Sequence, residues 1–460
     1  MARSFPPGRS SRSKSFDRSA SPQGPRSSST QVPHYKKKEP SLDERPHFIH
    51  RPIARLALQA VADVMFDSRP ADKVIEHYFK NQRSMGARDR RQFAELTYDL
   101  IRWWRRLIWL TQIPESDLSR ENLWPLLAAW WVERGEAVPA WDELHDWPSK
   151  RFTARKREIT QAPRAIQHSL PDWLDAVGDR ELGSETWERT CRALNQPAPV
   201  VLRANALKCT RELLADRLRT ENELETHPAP NTRHGLILND RSPVFRTLSF
   251  QEGWFEVQDG ASQQAAEALE AQSGEWIIDA CAGAGGKTLA IGATMANKGK
   301  ILALDVHDKR LQELKKRASR AGLDIVEARL IDGTKSIKRL EATADRLFLD
   351  VPCSGTGILR RNPDAKWKLR EADLTSLRTT QAEILSTYTR MLKPGGRLVY
   401  ATCSILPSEN QNAIAEFLNS EAGQGFEKLS ERSLAIGEDG YDGFYMAVLK
   451  LSSPALREAL

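Results

Sequence analysis

The chain has 460 residues, and what it lacks narrows the field first. Its longest apolar block, Leu123 to Val132, runs ten residues. A membrane helix needs about 20, so the block is expected to be a buried helix and no membrane partner is expected. No apolar stretch near the N-terminus resembles a signal peptide. Five cysteines, at 191, 209, 281, 353 and 403, form no C-x-x-C pair and no disulfide-like spacing. That pattern suits a reducing cytoplasm, with no structural metal. Charge of one sign is also missing from most of the chain. Residues 1–46 hold ten Lys/Arg against four Asp/Glu, while the other residues are nearly balanced, so the net +7 sits almost wholly in the first 46. Rich in Ser and Pro, that segment cannot bury enough apolar surface to fold alone. It is expected to be a disordered basic tail, solvated or loosely engaging nucleic acid phosphates.

What is present reads as an ordered series of segments. From His47 to about residue 170 the pattern is helical. Ile53, Leu56, Ala57, Ala60, Val61 and Val64 form one stripe, and Phe93, Leu96, Thr97, Leu100, Ile101, Trp104 and Ile108 form a second. Arg91, Arg102, Arg105 and Arg106 fall on the face opposite the second stripe. Eight of the thirteen Trp lie between 103 and 147, at spacings that suit a core better than a base-stacking platform. The run Lys150–Arg157 is either a solvated face or a phosphate contact. Residues 171–255 read as a small α+β module, with a helix opened by Thr210. From 256 to 452 strands and helices alternate, which implies a doubly wound α/β domain with a parallel sheet. Residues 453–460 read as a tail.

Ligands of such sheets sit beyond the carboxyl ends of the strands. "WIIDACAGAGGKTLAI", 276–291, places a glycine turn there. Gly286-Lys287-Thr288 fits the second half of a phosphate loop, but the first glycine should fall at 281, which is Cys281. "RLFLD", ending at Asp350, resembles a Walker B strand, yet no base for an attacking water follows it. An ATPase is therefore disfavoured. Asp279 and Asp305 end successive strands, and an acid at 305 suits a ribose. Asp332 ends the third strand, where an adenine edge could lie. Cys353 and Cys403 each close a strand. If those strands are neighbours, two thiols face one crevice about 5 Å apart. Otherwise both are small buried hydrophobes. A thiol nucleophile, a second thiol, an acid and an adenosine cofactor suit methylation of a pyrimidine at carbon 5. Thiolate addition at carbon 6 activates carbon 5, and a base must later remove the carbon 5 proton.

"VQDGASQ" (257–263), "DACAGAGGKT" (279–288), "DVPCSGTGILRRNPDAKW" (350–367), "LKPGGRLVYATCSILPSEN" (392–410) and "DGYDGFY" (439–445) resemble the RsmB/Nop/Sun family of RNA cytosine-5 methyltransferases. The resemblance implies a class I, Rossmann-like domain that binds S-adenosylmethionine. It implies a donor loop of Cys281, Ala282, Gly283, Ala284, Gly285, Gly286 and Lys287. It places Asp305 on the ribose, Asp332 on the adenine, and Asp350 between donor and cytosine. It makes Cys403 the nucleophile and Cys353 the residue that helps release product, a choice that spacing alone leaves open. The family usually has Ala-Pro where this chain has Gly283-Ala284, so a slightly looser loop is expected. "GARDRRQFAELTYDLIR" (86–102) resembles the NusB-like RNA-binding domain of the ribosomal members, which favours small-subunit ribosomal RNA. The helical domain with Arg360, Arg361, Lys366 and Lys368 would then hold the RNA backbone. A monomer is expected. The competing reading is an RNA-binding ribosome-assembly factor that keeps the fold with little catalysis.

Overall fold

A computed structural model describes residues 49–453, which belong to one compact unit. The basic tail expected at 1–46 and all but Ser453 of the tail expected at 453–460 lie outside the described residues.

The N-terminal stripes fold as helices. Arg51–Met65 buries Ile53, Ala57, Ala60, Val61 and Val64, with Leu56 half-buried beside them. The second stripe is shared by two helices, Ala87–Arg102 and Trp104–Thr111, that meet at a bend at Trp103. They still present Phe93, Leu96, Leu100, Ile101 and Trp104 to the same core. Leu123–Val132 lies almost entirely in the buried helix Trp124–Arg134. No described helix is long and apolar enough to cross a membrane. Trp104, Trp130 and Trp131 are core residues, and the other tryptophans of this region pack half-buried against them. Part of the basic run is used internally. Lys156 donates to the carbonyls of Val132 and Glu133 at 2.9 and 2.7 Å, at the C-terminal end of the Trp-rich helix. Arg151 and Arg155 lie over the Trp147 and Trp109 rings.

Two sheets follow. The small one contains β1 (Val201–Ala204), β2 (Thr226–Pro228), β3 (Gly235–Leu238) and β4 (Phe255–Val257), in the order β2-β3-β1-β4 and wholly antiparallel. Thr210 caps helix Arg211–Asn222 by accepting from the Leu213 N–H. The residues ahead of this sheet form two helices, Asp172–Leu182 and Ser184–Leu194, whose Leu174, Trp187 and Cys191 pack with Leu359 and Ile436 of the following domain.

The large sheet contains β5 (Trp276–Asp279), β6 (Lys300–Asp305), β7 (Val326–Leu330), β8 (Ala344–Asp350), β9 (Leu392–Thr402), β10 (Phe426–Leu434) and β11 (Phe444–Leu451). Its order is β10-β11-β9-β8-β5-β6-β7. From β9 to β7 every pair is parallel, and β11 and β10 close the sheet antiparallel. The doubly wound expectation holds, with a hairpin added at one edge. The chain runs outward from β5 to β7 and then returns to the other side of β5 as β8. That reversal opens a crevice at the strand ends.

Candidate active site

Asp279 ends β5 at this crevice, and helix Gly286–Thr294 follows the glycine turn. Gly285 caps the helix at φ +85°, where an added Cβ would lie 2.6 Å from Leu314 Cγ. Gly283 also takes a left-handed φ, +54°, but with open space around it. Asp305, at the end of β6, is buried, and its two oxygens accept the N–H groups of Gly283 and His307, each at 2.8 Å. The acid therefore fixes the turn of the neighbouring strand.

A cavity of about 550 Å³ opens here. Its wall includes Asp279, Cys281–Ala284, Gly286, Lys287, Asp305 and Asp350. The opposite wall was not foreseen from the sequence. Thr380, Ile384, Thr387 and Tyr388 of helix Glu371–Tyr388 line it. Their spacing of three to four residues marks one helix face, a signal that was legible but carried no motif. Asp332 is exposed and accepts the Ser336 hydroxyl, and it is absent from the wall, where Ile331 and Thr334 stand instead.

The electrostatics centre on buried acids. Burial pushes the Asp279 carboxyl up to about 7, against the lowering effect of the Thr288 hydroxyl that donates to it at 2.6 Å. The second oxygen of Asp279 makes no well-formed hydrogen bond. Lys287 Nζ donates to Asp350 Oδ2 at 2.7 Å and lies 5.3 Å from the centre of the Phe444 ring. Burial alone would lower this ammonium, yet Asp350 outweighs burial and holds it above its ordinary value. Cys281 lines the cavity, and its thiol is pushed well up by burial and then by the surrounding carboxylates.

Cys353 and Cys403 follow β8 and β9, which are neighbours in register with Asp350 opposite Ala401. Their sulfurs stand 3.4 Å apart, and both residues are partly exposed. The hydrogen bond to Cys403, and then burial, hold the Cys353 thiol well above its usual range. The two thiols thus meet at one crevice beside the cavity, whose wall reaches Pro352. Beneath them lies a polar cluster of Ser354, Thr356, Ser404, Gln381 and Glu409, all buried. Sequence reading quoted Ser354, Ser404 and Glu409 within motifs without giving them a role.

The expected RNA-backbone cations are corrected by the fold. Arg360 is 3% exposed and bonds Asp442 and the Gly440 carbonyl, each at 2.6 Å. Arg361 bonds Asp442, Asp259 and the Pro199 carbonyl. Lys366 is buried and donates to the Arg102 carbonyl at 2.8 Å, and Lys368 donates to Asp364 and to the Arg69 carbonyl. Arg102 returns the contact by donating to the Arg360 and Leu194 carbonyls. Arg105 and Arg106 likewise donate to the carbonyls of Leu170 and Gln167. Arg102, Lys366 and Lys368 fasten the helical region to the loop that follows Cys353, and Arg360 and Arg361 fasten that loop to Asp442. Arg360 and Lys366 are thereby buried in internal contacts, while Arg361 and Lys368 stay partly exposed beside theirs.

Residues 266–450 match the family model described as 16S rRNA methyltransferase RsmB/F, and residues 170–245 match the ferredoxin-like domain described as Methyltr_RsmF/B-like. The ribosomal RNA small subunit methyltransferase B of Salmonella paratyphi A is 39% identical over 271 residues, covering 57% of this chain. That match spans 62% of the relative's own length. Among solved structures, a methyltransferase homolog protein from Pyrococcus horikoshii superposes with a TM-score of 0.55 at 26% identity, covering 62% of this chain and 97% of the other. The structure of PH0851 superposes with a TM-score of 0.72 at 24% identity, covering 86% and 98%, a likeness of fold.

Proposed function

The chain belongs to the RsmB/Nop/Sun family through its RsmB/F-type domains, and on that premise we propose that it methylates carbon 5 of a cytosine in RNA, with small-subunit ribosomal RNA as substrate. The observation that carries this reading is the 3.4 Å approach of the Cys353 and Cys403 sulfurs at the ends of adjacent strands.

The cavity beside them suits S-adenosylmethionine. Its volume of about 550 Å³ falls in the range of small-molecule sites. An under-bonded buried carboxylate oxygen on Asp279, the Asp305-tied glycine turn and the apolar Ile331, Ile384 and Tyr388 offer it both polar and apolar surfaces. When bound there, the cofactor supplies an electrophilic methyl group. The donor loop Cys281–Lys287 and Asp305 would hold it, with Asp332 the candidate for its adenine.

The Cys403 thiolate adds its sulfur lone pair to carbon 6 of the cytosine, and the ring electrons shift toward carbon 5. Asp350, held by Lys287, contacts the ring and stabilises the adduct. Once carbon 5 carries the methyl group, Cys353 assists removal of its proton. The electron pair left behind re-forms the ring double bond and expels the Cys403 sulfur. The target base must be unstacked to reach this crevice. The helical region, read as NusB-like, presents the RNA.

Incubating the full chain with methyl-tritiated donor and small-subunit RNA, naked or in the ribosomal particle, tests the reading. Label is expected in RNA at a cytosine that bisulfite sequencing then reads as protected. RNA binding with donor binding but no label would overturn it in favour of the assembly-factor reading.

A further inference from the structure

The β8–β9 ladder ends at Asp350 opposite Ala401, so both cysteines lie beyond the last paired residues. Backbone bonds from the Val351 N–H to the Ala401 carbonyl and from the Gly357 N–H to the Cys403 carbonyl, at 3.1 and 2.9 Å, flank the cysteines, and the side chains below add a second tie. Beneath them Glu409 is 0% exposed and has no cation among its hydrogen-bond partners. Its Oε2 accepts the hydroxyls of Ser354 and Ser404, each at 2.5 Å. Its Oε1 accepts the Ser354 N–H at 2.9 Å and the Gln381 side-chain amide at 3.0 Å. Four donors satisfy the roughly four acceptor sites of a carboxylate. Ser354 and Ser404 directly follow Cys353 and Cys403. A single oxygen therefore joins the two cysteine loops. Gln381 extends the tie to the Pro352 carbonyl at 2.9 Å, on the other side of Cys353. Burying a carboxylate without a cation is costly, and apolar residues would fill the same space more cheaply.

We propose that Glu409 is a positioning residue that sets the distance between the two thiols through Ser354 and Ser404. It touches no reacting atom. Its consequence for catalysis rests on the cytosine reading above, whereas its effect on thiol spacing does not.

The test uses the whole chain with Glu409→Ala and Glu409→Gln, and two readouts. The first is disulfide closure by diamide without donor or RNA, mapped by mass spectrometry. Two thiols give up two protons and two electrons to form the S–S bond, and the diazene is reduced to the hydrazine. The second is methyl transfer with donor affinity. In Glu409→Ala, closure slows about tenfold and kcat falls about 100-fold, as expected when reacting groups are misplaced by about 1 Å, while donor Kd stays within about twofold. Glu409→Gln keeps one acceptor oxygen and falls between. Should Glu409→Ala not fold, the Ser354→Ala/Ser404→Ala pair removes the same hydroxyls and is expected to slow closure alike. Unchanged closure in the folded variants overturns the proposal, as does a loss of kcat with closure intact. A wild-type chain that closes its disulfide but never methylates RNA refutes the cytosine reading instead, and the closure rates still decide the role of Glu409.

Discussion

On the donor side of the sheet edge, from β5 to β7, the wall is largely main chain. Gly283 and Gly285 supply left-handed turns, and Asp305 anchors them by accepting backbone N–H groups. On the thiol side, beyond β8 and β9, side chains are tied to side chains: Ser354, Thr356 and Ser404 bond one another, and the two serines donate to Glu409. The first arrangement tolerates changes of side chain but not of backbone angle. The second tolerates little loss of a polar group, because each buried partner left behind is unsatisfied. A site that must wrap a cofactor and also hold two sulfurs in register uses each construction where its demand lies.

The largest effect expected separates the sulfurs themselves. Cys403→Ala should lower methyl transfer by about 10⁴-fold or more, as removal of a nucleophile does. Cys353→Ala should instead let a covalent protein–RNA species build up, seen as a band that survives denaturation. The reverse pattern, with the adduct trapped by Cys403→Ala, would reassign the two roles and leave the thiol wall's geometry unchanged.

Much of this edge was legible because motifs fall at strand ends. Asp279, Asp305 and Asp350 end β5, β6 and β8 as expected. What stayed hidden depends on partners distant in sequence. Arg360 and Lys366 read as free cations because Asp442 and the Arg102 carbonyl, their partners, lie about 80 and 260 residues away. Glu409 had no role in the sequence because that role depends on which strand is neighbour to which. Asp332, expected to end the third strand, lies two residues past the end of β7 and accepts the Ser336 hydroxyl. Helices Asp172–Leu182 and Ser184–Leu194 were merged into a mixed module, since the apolar positions that pack on Leu359 and Ile436 are few in each.

The donor wall should respond to backbone changes in proportion to what each glycine avoids. Gly285→Ala must accept both a left-handed φ and a Cβ 2.6 Å from Leu314 Cγ. Left-handed strain of about 1–2 kcal/mol and overpacking of about 1–3 kcal/mol add here, because Leu314 is buried in its own cluster. A loss of about 2–5 kcal/mol in urea unfolding is expected, together with weaker donor binding. Wild-type stability in this variant would mean that the donor wall has more give than its close packing suggests.

Gly283→Ala isolates the backbone term and is the mildest test. Its φ of +54° carries the left-handed cost, yet nothing lies within 4 Å of the added Cβ. About 1 kcal/mol is expected, and because the Gly283 N–H is held by Asp305, that strain falls on the loop that grips the donor. Urea unfolding should read that loss, whereas isothermal titration should read a Kd for S-adenosylmethionine within about twofold of wild type, because a loop that keeps its conformation carries the same strain with and without the donor. Tighter binding in Gly283→Ala would mean that the loaded loop leaves the left-handed region, and the donor wall would then be a surface that forms on binding, in contrast to the preset thiol wall.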